Sequence, residues 1–133
     1  MKNVLRAICA AALAALLVTS ASLPSDAVAA PVARPSAFDG QWSVVIYTLR
    51  GDCGRSLRYA VRIVDGQVQA ADQSYQVAGR VTPRGDIRVV VAEAGRSASG
   101  MGRLIGNNGR GEWRTSTGEC AGQWTAIRRA AEY

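Results

Sequence analysis

Residues 57–65 read LRYAVRIVD, with Leu57, Tyr59, Val61 and Ile63 alternating against Arg58, Ala60 and Arg62. Successive side chains of an extended chain point to opposite faces, so a period of two describes a strand with one buried face and one wet face. The same period continues on either side. Trp42, Val44 and Ile46 form one row in QWSVVIYTL (41–49), and Tyr75, Val77 and Val81 another in SYQVAGRVT (74–82). Ile87, Val89 and Val91 align in DIRVVVAE (86–93), and Ala98, Gly100, Gly102 and Leu104 in SASGMGRLI (97–105). The last rows are Gly111 with Trp113, then Cys120, Gly122, Trp124 and Ala126.

Between these runs lie short stretches of hairpin chemistry: Asp65-Gly66, Pro83-Arg84-Gly85-Asp86, Ala94-Gly95 and Asn107-Asn108-Gly109. Counting the brief QVQAA (67–71) gives about eight strands without a helical period, as in up-and-down barrels. The expected fold is all-β, an antiparallel up-and-down β-barrel, with a β-sandwich as the alternative. Eight strands enclose a space that side chains fill or that holds one small ligand. Closure makes the first and last strands neighbours and leaves no edge for aggregation.

All three tryptophans, Trp42, Trp113 and Trp124, stand two residues after a glycine. Gly100, Gly102, Gly111 and Gly122 fall on inner rows, where glycine weakens a strand unless something must approach closely. Two readings follow. Either the indoles fill the space the glycines leave, or Trp42, Trp113, Trp124, Tyr59 and Tyr75 line a pocket for an apolar or aromatic ligand. On the closed-barrel reading Trp42 and Trp124 become neighbours, with Trp113 one strand further on.

The first 29 residues read as a secretory signal: cationic Lys2 and Arg6, an apolar run over 7–18, and the small-x-small site Ala27-Val28-Ala29. The apolar run is too short for a spanning helix, which needs about 20 residues. Residues 30–37, APVARPSA, suit a flexible tail, and 38–133 a single domain. A domain of this size has a thin core. Cys9 goes with the leader, leaving Cys53 and Cys120, 67 positions apart, whose default state after export is a disulfide. Closing that loop is worth roughly 4 kcal/mol on a chain-entropy model. The expected location is therefore the periplasm or outside the cell.

The chain contains no histidine, which removes Ser-His and Cys-His nucleophiles and His-based metal sites. The one carboxylate constellation is Asp52 and Glu119, each preceding a cysteine, which a disulfide would bring to one rim. GNNGRG lies between strands, whereas a phosphate-binding loop opens a helix. No catalytic residue, metal or cofactor is expected. The outward rows carry Arg58, Arg62, Arg80, Arg88, Arg103, Arg110 and Arg114; without the leader's Lys2, Arg6 and Asp26 the net charge falls from +6 to +5. Such a surface either keeps the protein soluble or attracts an anionic partner. No aromatics interleave with the charges as nucleic-acid binding would require. A monomer without a membrane span is expected.

FDGQWSV, RGDCG, YAVRIVDG, VAGRVTPRG, GRLIGNNGRGEW and CAGQWTAIRR together resemble a group of small exported alphaproteobacterial proteins. The resemblance covers nearly the whole chain after the leader and implies export and a barrel. The early Gly-x-Trp is more distantly similar to lipocalin-like and avidin-like ligand binders. It is also similar to periplasmic inhibitors of serralysin-type metalloproteases, whose flexible N-terminal segment blocks the protease site; that likeness implies an inhibitory role for Ala30 to Phe38.

Overall fold

The computed structural model describes residues 35–130; the leader over 1–29 and the tail up to residue 34 lie outside them. The described chain forms β1 (Gly40–Arg50), β2 (Ser56–Val64), β3 (Gln67–Ala70), β4 (Gln76–Val81), β5 (Asp86–Glu93), β6 (Arg96–Ile105), β7 (Asn108–Thr115) and β8 (Ala121–Arg128). Each strand pairs antiparallel with the next, and β8 pairs back onto β1, giving a closed eight-stranded barrel. The period-two rows are its inward rows. Among the described residues no helix is long and apolar enough to cross a membrane.

Both residues of Asp65-Gly66 and of Ala94-Gly95 have positive φ, as in the two-residue turns whose twist matches that of antiparallel strands. The hairpin between β6 and β7 departs from the sequence reading. Its turn is Gly106-Asn107, with φ 57° at Gly106, while Asn108 and Gly109 already belong to β7. Gly109 serves packing: a Cβ there would lie 2.4 Å from Leu104 Cδ2 and 3.2 Å from Trp124 Cζ3.

The N-terminal end of β1 marks a closed pole, where Phe38, Trp42, Ile63, Val68, Leu104 and Ala126 are buried. Phe38 is held by a turn: Asp39 N–H donates to Ser36 O (3.1 Å), Phe38 N–H to Ser36 Oγ (3.1 Å), and Ser36 N–H to the Asp39 carboxylate (3.2 Å). Ser36 and Ala37, assigned to the tail by composition, thus take part in the closure. Trp42, 1% exposed, donates its Nε1–H to Phe38 O at 2.9 Å. The Arg128 guanidinium lies 5.1 Å from the Trp42 ring centroid and donates to Ala37 O, Asp39 O and Gly106 O, each at 3.0 Å. Cation–π attraction and three charge-assisted hydrogen bonds therefore join the chain entry, the last strand and a hairpin turn.

The Asp39 carboxylate also accepts from Asp65 N–H (2.9 Å) and Gly66 N–H (3.1 Å). Partial burial pushes its pKa up, but the hydrogen bonds from Gly66, Asp65 and Ser36 and the charge of Arg128 outweigh this and hold it below the ordinary value of 3.8.

At the opposite pole Cys53, in the β1–β2 loop, is disulfide-bonded to Cys120, in the β7–β8 loop, with Cα atoms 6.2 Å apart. Gly51, with φ +90°, permits this crossing: a Cβ there would lie 2.2 Å from Glu119 O and 2.6 Å from Cys120 Sγ.

Candidate functional site

The inward rows at the disulfide pole do not meet. They enclose an open-mouthed cavity of about 590 Å³, within the size range of small-molecule sites. Val61, Val68 and Ile87 form its floor above the closed pole; Val44, Ile46, Val77, Val89 and Val91 line its walls. Asp52, Leu57, Tyr59, Glu93 and Arg96 stand at or near the mouth.

One stretch of wall is surfaced by aromatics. The Trp124 indole lies flat over β6 and β7, because Gly102 and Gly111 leave room: a Cβ at either would come within 2.6 Å of Cζ2 or 2.7 Å of Cε2. Its Nε1–H is shared between Met101 O (3.3 Å) and Glu112 O (3.2 Å). Trp113 donates its Nε1–H to Tyr47 O at 3.0 Å, reaching past β8 to β1. With both N–H groups satisfied by backbone carbonyls, the two indoles offer the cavity apolar ring surface.

Trp113, Trp124 and Tyr59 therefore line the cavity, whereas Trp42 and Tyr75 do not. Trp42 is consumed by the closed pole. It also stands apart from Trp124: the β1–β8 register sets Trp42 opposite Arg128 and Trp124 opposite Ile46. Four residues of strand separate the two levels, about 13 Å at 3.3 Å per residue, a consequence of the stagger that barrel closure imposes.

Tyr75 lies in the loop before β4, because β3 is four residues long and its pairing with β2 ends at Val61↔Ala70. Beyond that point Tyr75 and Ala71 replace the missing strand. The Tyr75 hydroxyl donates to Ala60 O and accepts from Ala60 N–H (3.0 Å), and Ala71 N–H donates to Ala60 O (3.1 Å). Edge-to-face packing of Tyr75 on Tyr59, with centroids 5.0 Å apart, fixes the Tyr59 ring, whose hydroxyl donates to Glu93 Oε2 at 3.1 Å. Desolvation, then the charge and hydrogen bond of Glu93, push the Tyr59 pKa up.

Asp52 reaches the cavity, and Glu119 is exposed in the β7–β8 loop. The wall residues Val44, Ile46, Val89 and Val91 belong to the inward rows read from the sequence, which did not name them as cavity lining, and the mouth residues Glu93 and Arg96 were not among those rows. A signal existed: Glu93 continues the inward row of Ile87, Val89 and Val91, and Arg96 precedes Ala98 by two, so each is a charge at an inward position.

Outside the barrel, the seven outward arginines are exposed. Arg103 pairs with Asp86 (2.7 Å) and Arg80 stands directly opposite Arg88. Arg80, Arg88 and Arg114 border a shallow outer concavity that includes Ala78, Val90 and Met101.

These features define, among the described residues, a closed antiparallel barrel with a sealed pole and, at the other pole, an apolar cavity open to solvent. No protein-family model matches the chain, and no curated protein matches it.

Proposed function

We propose that this is an exported, non-catalytic binding protein that takes a small apolar or aromatic molecule into the open half of its barrel. The observation that carries the reading is the cavity of about 590 Å³, walled by valines, Ile46 and two indoles with satisfied N–H groups. Burial of a ligand there is driven by apolar area, at roughly 25 cal/mol per Å² removed from water. The charged side chains that reach the cavity are Asp52, Glu93 and Arg96, near the mouth, an arrangement that suits holding a molecule better than transforming it. The Cys53–Cys120 disulfide supports the periplasm or the cell exterior as its location.

The test is titration of the disulfide-bonded protein with N-phenyl-1-naphthylamine, a fluorophore that brightens in apolar surroundings. Saturable binding with one site per chain is expected, with loss in Gly100→Leu, whose side chain enters the cavity. A linear, non-saturating response rejects the reading.

A second reading uses the outer wall. Arg80, Arg88 and Arg114 around Ala78, Val90 and Met101 suit an anionic amphiphilic surface. Co-sedimentation with anionic vesicles that Arg80→Gln/Arg88→Gln leaves unchanged rejects it. On the inhibitor reading Phe38 does not belong to the blocking segment, because it is buried in the closed pole.

A further inference from the structure

Glu93 and Arg96 close the β5–β6 hairpin as directly opposed residues, both on inward rows at the cavity mouth. Opposite charges so placed ordinarily pair across the strands. Here the Glu93 carboxylate is instead taken by the Tyr59 hydroxyl at 3.1 Å, reaching across from β2. Tyr59 is itself held by its packing on Tyr75, whose hydroxyl is anchored on the Ala60 backbone. Among the described residues Arg96 has no hydrogen-bond or ion-pair partner, and it is the one cation that lines the cavity.

Resting on the reading of the cavity as a ligand site, we infer that Arg96 receives a carboxylate head group, so that the ligand is an amphiphile with one carboxylate at the mouth and an apolar body against the indoles. The guanidinium cannot shed its proton, so a ligand that covers it must supply a negative partner or leave it desolvated and unpaired. Its planar fork matches a carboxylate with two parallel N–H···O bonds. A cationic head would be repelled by Arg96, and of the two acids at the mouth, Asp52 and Glu93, the one opposite Arg96, Glu93, already has a hydrogen-bond donor. Tyr59 is a positioning residue: it holds Glu93 away from Arg96 and so keeps the guanidinium open to the ligand.

The test compares decanoate, 1-decanol and decylamine, which share one tail, by calorimetric titration of the disulfide-bonded protein. Decanoate is expected to bind about tenfold more tightly than decanol, and decylamine more weakly than decanol, as one charge-assisted contact would give. Arg96→Gln should bring decanoate to parity with decanol while decanol binding holds. Tyr59→Phe should weaken decanoate selectively, because Glu93 then competes for Arg96, and Tyr59→Phe/Glu93→Gln should restore it. Decanol equal to decanoate in the unaltered protein overturns the head-group assignment and leaves the cavity reading standing. So does a preference that survives Arg96→Gln. Binding of none of the three overturns both.

Discussion

The two poles of this barrel are made from the same strands, yet one is solid and the other hollow. At the closed pole Phe38 enters from outside the strand set, Trp42 turns inward beneath it, and Arg128 ties both to the last strand. At the open pole the inward residues are valines, glycines and two indoles pressed against the wall, and a disulfide binds the loops without filling the space between them. The difference lies in how each tryptophan satisfies its N–H. Trp42 donates to the chain that plugs the barrel, whereas Trp113 and Trp124 donate into the wall. Side-chain packing is therefore dense at one end, and at the other an open space is left that the disulfide borders without filling.

The largest expected effect comes from breaking the solid pole. Trp42→Ala should cost about 4 kcal/mol, the usual scale for truncating a buried aromatic, while Trp113→Ala, buried but already bordering a cavity, should cost less. Urea denaturation of the two variants measures the gap, and equal losses would erase the distinction between the poles. Next, Cys53→Ser/Cys120→Ser should lower stability by roughly 4 kcal/mol, chiefly through the denatured chain. Near-ultraviolet circular dichroism should still report the ordered Trp42 environment. Filling the hollow pole is the smaller perturbation. Gly100→Leu should change stability by no more than about 1 kcal/mol, because its Cβ meets only Val89 Cγ2 at 3.2 Å and more distant atoms, whereas Leu104→Ala at the closed pole should cost about 3 kcal/mol.

The smallest effect is the acid sensitivity of the closed pole. Asp39 has a lowered pKa in the folded state, so its contribution is present above the ordinary carboxylate value of 3.8 and is lost as the pH falls through the folded value. The urea midpoint of the protein should exceed that of Asp39→Asn at pH 6, and the difference should shrink below pH 3.8. A constant difference down to pH 2 would contradict the hydrogen-bonded, ionised Asp39 described above.

Period-two alternation made the strands and their inward rows legible, and positive-φ pairs such as Asp65-Gly66 made the turns so. What alternation does not carry is height along the barrel axis. Trp42, Trp113 and Trp124 share one local signature and one parity, and only the stagger of closure separates the plug from the lining. The same limit explains Tyr75, which has the parity of its neighbours but falls in a loop because β3 is short. Asn108-Gly109 shows a different conflict: a strong turn dipeptide is used in a strand, since the inner wall there needs a residue without a side chain beneath Trp124. The mouth charges Glu93 and Arg96 were overlooked because charged residues beside a turn read as solvated.

The division of labour among the three indoles is most directly tested by the indole N–H signals in a ¹⁵N–¹H spectrum, titrated with 1-decanol. The signals of Trp113 and Trp124 should shift together and saturate while that of Trp42 stays in place. A shift of Trp42 comparable to theirs, or no shift of Trp113 and Trp124, would contradict a barrel that is sealed at one pole and open to a ligand at the other.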